Sequence, residues 1–317
     1  MNESFSPNPD GPVLVIGAAG VDVVGRMRGE LQAGASSPAS IRHSFGGVAR
    51  NIAENLARLG HKVSLLAVVG EDLTGDHMLS QLSLAGVDTQ AILRGSAYPT
   101  ASYMGLLSST GELIYAVDDM RIMVQLSSDY LRQHEDLFRE ASLVFMDANL
   151  TKKSLRTAIS LAHRAKIPIC ADPAASSLAE RMRPFITRFD LITPNCAEAS
   201  VLSGMHIDPS NRQMALTAAK NFVSQGIKIA IISMAQFGVC YATSETSGHI
   251  PSIRSDVIDP TGVGDAMTAA VIFALLNNIS VDDAVRLGVS AASITLRHNG
   301  TVMPDLTLEK LYDQLVI

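Results

Sequence analysis

Tryptophan is absent from the chain, cysteine occurs three times, and aromatic residues fill only 5% of its 317 positions. The cysteines, Cys170, Cys196 and Cys240, stand far apart with no CxxC pair. That spacing excludes a disulfide framework and fits reduced thiols in a cytoplasm. Basic charge is also scarce. The 25 Lys and Arg against 31 Asp and Glu leave a net charge of −6, which argues against a nucleic-acid polymer as partner. No apolar run reaches the roughly 20 residues that cross a bilayer. The longest mainly apolar stretch, residues 266–276, falls well short. Residues 1–7 lack the basic and apolar regions of a signal peptide. The eight histidines show no HExxH spacing and there is no GxSxG elbow, so zinc and serine hydrolases are disfavoured.

What the chain has is hydrophobic mass, 47% of its residues, enough for a large core and too much for disorder. Short apolar runs at residues 13–16, 62–69, 143–146, 168–171, 191–193 and 229–232 read as strands buried on both faces. Helical periodicity between and after them, at residues 74–85, 152–164, 197–202, 212–224, 263–276, 281–296 and 306–315, predicts an α/β fold around a mostly parallel sheet. Residues 1–11 read as a flexible tail and residues 12–317 as a single domain. Two segments break the rhythm, about 22–45 and 98–120, the second a hairpin around Ser109-Thr110-Gly111. They are expected to meet as a small sheet outside the main layer.

Three motifs carry chemistry. In Asp259-Pro260-Thr261-Gly262-Val263-Gly264-Asp265 two glycines precede a helix with an aspartate in its first turn. Free N–H groups there can receive a phosphoryl group, and Asp265 can take the proton of an attacking hydroxyl. The same residues also read as a helix N-cap after a tight turn. In Phe45-Gly46-Gly47-Val48-Ala49-Arg50-Asn51 a diglycine enters a helix, with Gly46, Gly47 and Asn51 suited to sugar hydroxyls, or simply a helix entry with an exposed Asn. Asn195 and Glu198, three apart after a strand, can organise a hydrated Mg²⁺ or form a capping box. Asp22, after the first strand, can accept two hydroxyl hydrogen bonds or merely occupy a turn.

Together and in this order these motifs resemble the ribokinase-like (PfkB) carbohydrate kinase family over roughly residues 13–315. The resemblance implies a three-layer α/β/α domain with a small β lid formed by the two irregular segments. It implies ATP and Mg²⁺ as cofactors, and in some members a monovalent cation near the position of Asp259. Asp265 would be the base. The amides of Gly262, Val263 and Gly264 would form an anion hole. Asn195 and Glu198 would order Mg²⁺ through water, and Ser233, Gly238 and Thr261 would contact the nucleotide. Asp22, Gly46, Gly47 and Asn51 would hold ribose hydroxyls, with Ser102 and Asp119 near the base. The lid segments resemble those of the branch that phosphorylates the ribose 5′-hydroxyl of pseudouridine. Other small-molecule acceptors (ribose, fructose, adenosine) and a non-catalytic sugar- or nucleoside-binding protein are the alternatives. A homodimer through the lid is implied as well. Four positions depart from the pattern: Gly20 stands where the family usually has Asn, Ala235 where its nucleotide loop has Gly, and Pro260 and Val263 where its second signature commonly has Thr and Ala.

Overall fold

The computed structural model describes residues 11–32 and 34–315. Apart from Gly11, the tail expected over residues 1–11 lies outside the described residues. The chain runs β1 (Val13–Ile16), β2 (Gly20–Met27), β3 (Ala39–Gly46), α1 (Val48–Arg58), β4 (Val63–Leu66), β5 (Val68–Gly70), α2 (Leu73–Leu84), β6 (Val87–Asp88), β7 (Leu93–Gly95), β8 (Ala101–Leu107) and β9 (Leu113–Asp119). It continues through α3 (Ser128–Gln133), α4 (Glu135–Glu140), β10 (Leu143–Asp147), α5 (Lys152–Ala165), β11 (Ile169–Asp172), α6 (Ser176–Met182), β12 (Leu191–Ile192), α7 (Cys196–Ser203), α8 (Arg212–Ser224) and β13 (Ile229–Ser233). The last elements are β14 (Val239–Ala242), β15 (Ser247–Ile250), α9 (Val263–Leu276), α10 (Val281–Leu296) and α11 (Leu308–Leu315).

Nine strands form the main sheet in the order β15-β14-β13-β12-β11-β10-β1-β4-β6. All pair in parallel except β13 with β14 and β14 with β15. Alternate side chains of each strand enter two cores. Val13, Val15 and Phe145 pack with Ile52, Leu56 and Val271 on one face. Leu14, Ile16 and Met146 pack with Leu155, Ala199 and Ala218 on the other. Burial on both faces is why these strands read as unbroken apolar runs. In α9 every residue from Ala266 to Leu276 is buried, so this helix is apolar all round.

The two irregular segments do meet, as a separate four-stranded sheet ordered β3-β2-β8-β9. Residues 62–69, expected as one strand, are two. β4 stays in the main sheet, whereas β5 leaves it to pair with β7. Among the described residues no helix is long and apolar enough to cross a membrane.

Candidate active site

Parallel strands leave their carboxyl ends on one edge of the sheet, where open α/β folds bind ligands. Here that edge presents Asp147 at the end of β10 and Asp172 at the end of β11, paired in register. α9 points its N-terminus at the same place. Gly262 caps it in the left-handed conformation (φ 76°), and the Ala266 amide donates to the Gly262 carbonyl. The amides of Val263, Gly264 and Asp265 precede the first intrahelical bond and so lack a helical acceptor.

Asp265 accepts a 2.7 Å hydrogen bond at Oδ2 from Asn51 Nδ2. Asn51 is only 3% exposed, so the exposed-Asn reading does not hold. Its orientation is fixed from behind, because Arg50 donates to Asn51 Oδ1 (3.0 Å) and is itself held by Glu54, the Phe45 carbonyl and Thr301 Oγ1. Asn51 therefore turns its N–H₂ toward Asp265. Burial, with the nearby carboxylates of Asp172, Asp147 and Asp22, pushes the Asp265 carboxyl up to about 8 against the lowering effect of Asn51.

Asp22 on β2 sits opposite Ser44. Burial raises its carboxyl to about 6, opposed mainly by Arg50. Gly46 and Gly47 act here through backbone packing. A Cβ on Gly46 would collide with the Asp22 carboxylate, and one on Gly47 (φ 96°) with the Ala18 carbonyl. They let Asp22 and the β1–β2 turn close against α1.

Asn195 and Glu198 form the reciprocal capping box. The Glu198 amide donates to Asn195 Oδ1 (3.0 Å), and the Asn195 amide to Glu198 Oε2 (2.9 Å). Glu198 also belongs to the acidic group. Burial first, then Asp172 and Asp265, raise it to about 8 despite that bond. Asp172 is raised to about 6, by burial foremost. Among the described residues Asp147, Asp172, Glu198 and Asp265 have no Lys or Arg ion-pair partner. No three acidic, His or Cys side chains there approach closely enough to ligate an ion directly.

Beside Gly264 opens a cavity of about 720 Å³, lined among others by the polar Asn195 and Ser233, by Gly238, and by the apolar Val263, Val289 and Leu296. A Cβ on Gly264 would meet nothing within 4 Å, whereas one on Gly262 would strike the Thr301 carbonyl. Thus Gly264 leaves space for a ligand and Gly262 serves the turn itself. Ala235 takes φ 49°, in the left-handed region that a glycine adopts freely.

Three sequence readings, at Ser102, Asp119 and Thr261, need correction. Ser102 and Asp119 pair with each other on β8 and β9, and their neighbours Tyr103 and Asp118 likewise. Tyr103 lies opposite Asp22, so side-chain alternation puts Tyr103 and Asp118 on the face of Asp22 and Ser102 and Asp119 on the other. Both Asp119 oxygens are moreover taken by Arg121, at 2.8 and 2.6 Å. The Thr261 amide turns inward to Asp259 Oδ1 (3.0 Å) and not into the cavity. A side chain at position 20 would press on the Ala101 carbonyl, so the Asn usual there has no room. The residue that spacing did not single out is Asp147. Fully buried, it accepts from the amides of Ala18 (2.8 Å), Ala49 (3.2 Å) and Asn149 (2.9 Å). It ties β1, α1 and β10 together, and Gly17 is small to admit it.

The sequence matches the family described as pfkB family carbohydrate kinase over residues 12–307. It is 34% identical to a pseudouridine kinase of Escherichia coli (strain K12), across 93% of this chain and 94% of that one. It is 26% identical to a guanosine-inosine kinase of Exiguobacterium acetylicum, covering 92% and 96%. The fold superimposes on Arabidopsis thaliana ribokinase complexed with ribose and ATP with a TM-score of 0.82, at 20% identity over 97% and 99% of the two chains.

Proposed function

The chain belongs to the pfkB family of carbohydrate kinases, and we propose from this that it transfers the γ-phosphoryl group of ATP to the ribose 5′-hydroxyl of pseudouridine, with Mg²⁺ at the phosphates. The observation that carries the chemistry is the Asn51–Asp265 hydrogen bond at the N-terminus of α9. It puts an oriented carboxylate next to unpartnered helix amides. The choice of acceptor leans on the 34% identity to a pseudouridine kinase along nearly the whole chain.

In this reading Asp22 and Asn51 hold the ribose hydroxyls and turn the 5′-hydroxyl toward Asp265. As the O5′–phosphorus bond forms and the bond from the γ-phosphorus to the β-phosphate oxygen breaks, Asp265 takes the hydroxyl proton and ADP leaves. The amides of Val263 and Gly264 face the charge on the transferred group, and the openness around Gly264 allows the approach. The nucleotide lies in the 720 Å³ cavity. Asn195 and Glu198 would order Mg²⁺ through water, where it would neutralise phosphate charge. Tyr103 and Asp118, on the Asp22 face of the lid, are nearest to the base.

The outer face of the lid sheet leaves Ile41, Met104, Tyr115 and Val117 between 56% and 65% exposed. Such a patch suits a second copy of the chain, giving a homodimer. Sedimentation equilibrium is expected to return twice the mass of one chain, and Met104→Glu to return a monomer. A monomeric unmodified protein would refute the pairing. The three cysteines are buried and unpaired, which suits a cytoplasmic enzyme.

The acceptor is tested with Mg-ATP and a panel of pseudouridine, uridine, adenosine, guanosine, ribose and fructose. The expected product is ADP with a phosphate on the ribose 5′ carbon, identified by ³¹P NMR, and pseudouridine the preferred acceptor. Faster turnover of ribose or of another nucleoside would overturn the assignment of acceptor while leaving the kinase chemistry standing.

A further inference from the structure

Asp259 is 2% exposed, and a buried carboxylate needs hydrogen bonds and a countercharge. Its Oδ1 accepts from the Thr261 amide (3.0 Å) and its Oδ2 from the Gly300 amide (3.1 Å). The charge comes from the lid: Arg42 Nη2 lies 2.6 Å from Asp259 Oδ2. Arg42 stands on β3 opposite Val24, on the face that carries Asp22, and also reaches Asn299 Oδ1 at 3.5 Å. A free monovalent cation at this position would have to compete with that guanidinium for the carboxylate.

The contacts continue from there to the reacting centre. Asp259 holds Thr261, which directly precedes the left-handed Gly262 and the first turn of α9. It also holds the 299–301 loop, whose Thr301 carbonyl packs against Gly262 and whose Thr301 Oγ1 donates 2.6 Å to the Phe45 carbonyl at the end of β3. The lid strand and the phosphoryl-receiving turn are thus joined through one ion pair and one short loop.

We propose that Arg42 is a tethered cation at Asp259, standing where a free monovalent cation would sit, and that through this pair strand β3 holds the Thr261–Gly264 turn in its phosphoryl-accepting geometry. Arg42 is a positioning residue, since it touches Asp259 and not the reacting atoms. The inference rests on the phosphoryl-transfer reading but not on the identity of the acceptor. The assay therefore uses whichever acceptor the unmodified protein phosphorylates, and absence of any turnover would count against that reading instead.

Steady-state kinetics of the full chain, Arg42→Ala and Arg42→Lys are measured in buffer free of K⁺ and Na⁺, then with added KCl or guanidinium chloride at non-denaturing concentration. The unmodified enzyme is expected to be indifferent to K⁺. Arg42→Ala should lose about 30-fold in kcat with the acceptor KM within about threefold. It should regain about fivefold or more with guanidinium or K⁺, and Arg42→Lys should be the milder variant. Merely structural damage would not be repaired by a small cation. An unmodified enzyme activated by K⁺ would overturn the proposal. So would an Arg42→Ala variant within about twofold of it, or a folded one that neither cation nor lysine restores. If Arg42→Ala does not fold, as read by its thermal melt, the K⁺ titration of the unmodified enzyme and the kinetics of Arg42→Lys decide.

Discussion

Replacing Asp265 by asparagine is expected to lower kcat by about 10³-fold, the usual scale for loss of a positioned general base, with acceptor and nucleotide binding retained. Asparagine keeps the shape and can still meet Asn51, but it cannot take the proton of the 5′-hydroxyl. The same substitution has a second signature because the carboxyl, free of ligands, is pushed up to about 8. The folded protein therefore binds this proton more tightly than the unfolded chain, where the carboxyl ionises near 3.8. Its contribution to stability is complete below about pH 4 and is lost as pH rises toward 8. Asp265→Asn should accordingly melt about 5 °C higher than the unmodified protein at pH 8.5 and with it near pH 4.5, if other groups titrate alike in both. In activity the sign is opposite. A base works when deprotonated, so kcat/KM should climb with pH up to about 8 and then level. A variant with near-normal turnover, or a flat pH profile between 6 and 8, would remove Asp265 from this role.

The second large effect separates the two glycines of the turn. Gly264→Ala should fold as well as the parent or slightly better. The added methyl meets nothing within 4 Å and alanine favours a helix over glycine by about 1 kcal/mol. It should nevertheless cut kcat/KM for transfer by about 100-fold or more, since the methyl occupies the approach to the amides. Gly262→Ala should behave differently. The left-handed φ of 76° and the Thr301 carbonyl leave no place for a Cβ, so the protein should lose several kcal/mol of stability together with its activity. Thermal melts and kinetics on the two variants separate these cases. If Gly264→Ala is fully active, the phosphoryl group does not approach α9 there.

How much of this was legible beforehand depended on how local the signal was. The apolar runs of β1, β10 and β13, the periodic helices α8 and α10 and the apolar helix α9 could be read because each is defined by its own neighbours in sequence. So could the helix that starts after Gly262, since a glycine turn followed by a run such as Ala266-Met267 has few alternatives. The lid faces could not. Whether Ser102 or Tyr103 points at Asp22 is decided by the pairing of β8 with β2 across about 80 residues, and a shift of one residue inverts the answer. Asp147 was hidden for a related reason: a single aspartate ending an apolar run carries no motif, and its three amide donors come from three separate segments. The Arg42–Asp259 pair spans more than 200 residues, and neither residue type is unusual where it stands. By contrast, the capping box of Asn195 and Glu198 was visible, and the structure adds only that the same glutamate also faces Asp172 and Asp265.

Phosphoryl transfer to pseudouridine is tested most directly by comparing that nucleoside with uridine. The two share the ribose and differ in which base atom carries it, so the contacts proposed for Asp22, Asn51 and Asp265 with the sugar cannot distinguish them. Initial rates of ADP formation with Mg-ATP give kcat/KM for each. The expected result is a preference for pseudouridine of about 100-fold or more, the scale of a lost base hydrogen bond in a built site. Equal rates, or a preference for uridine, would contradict it.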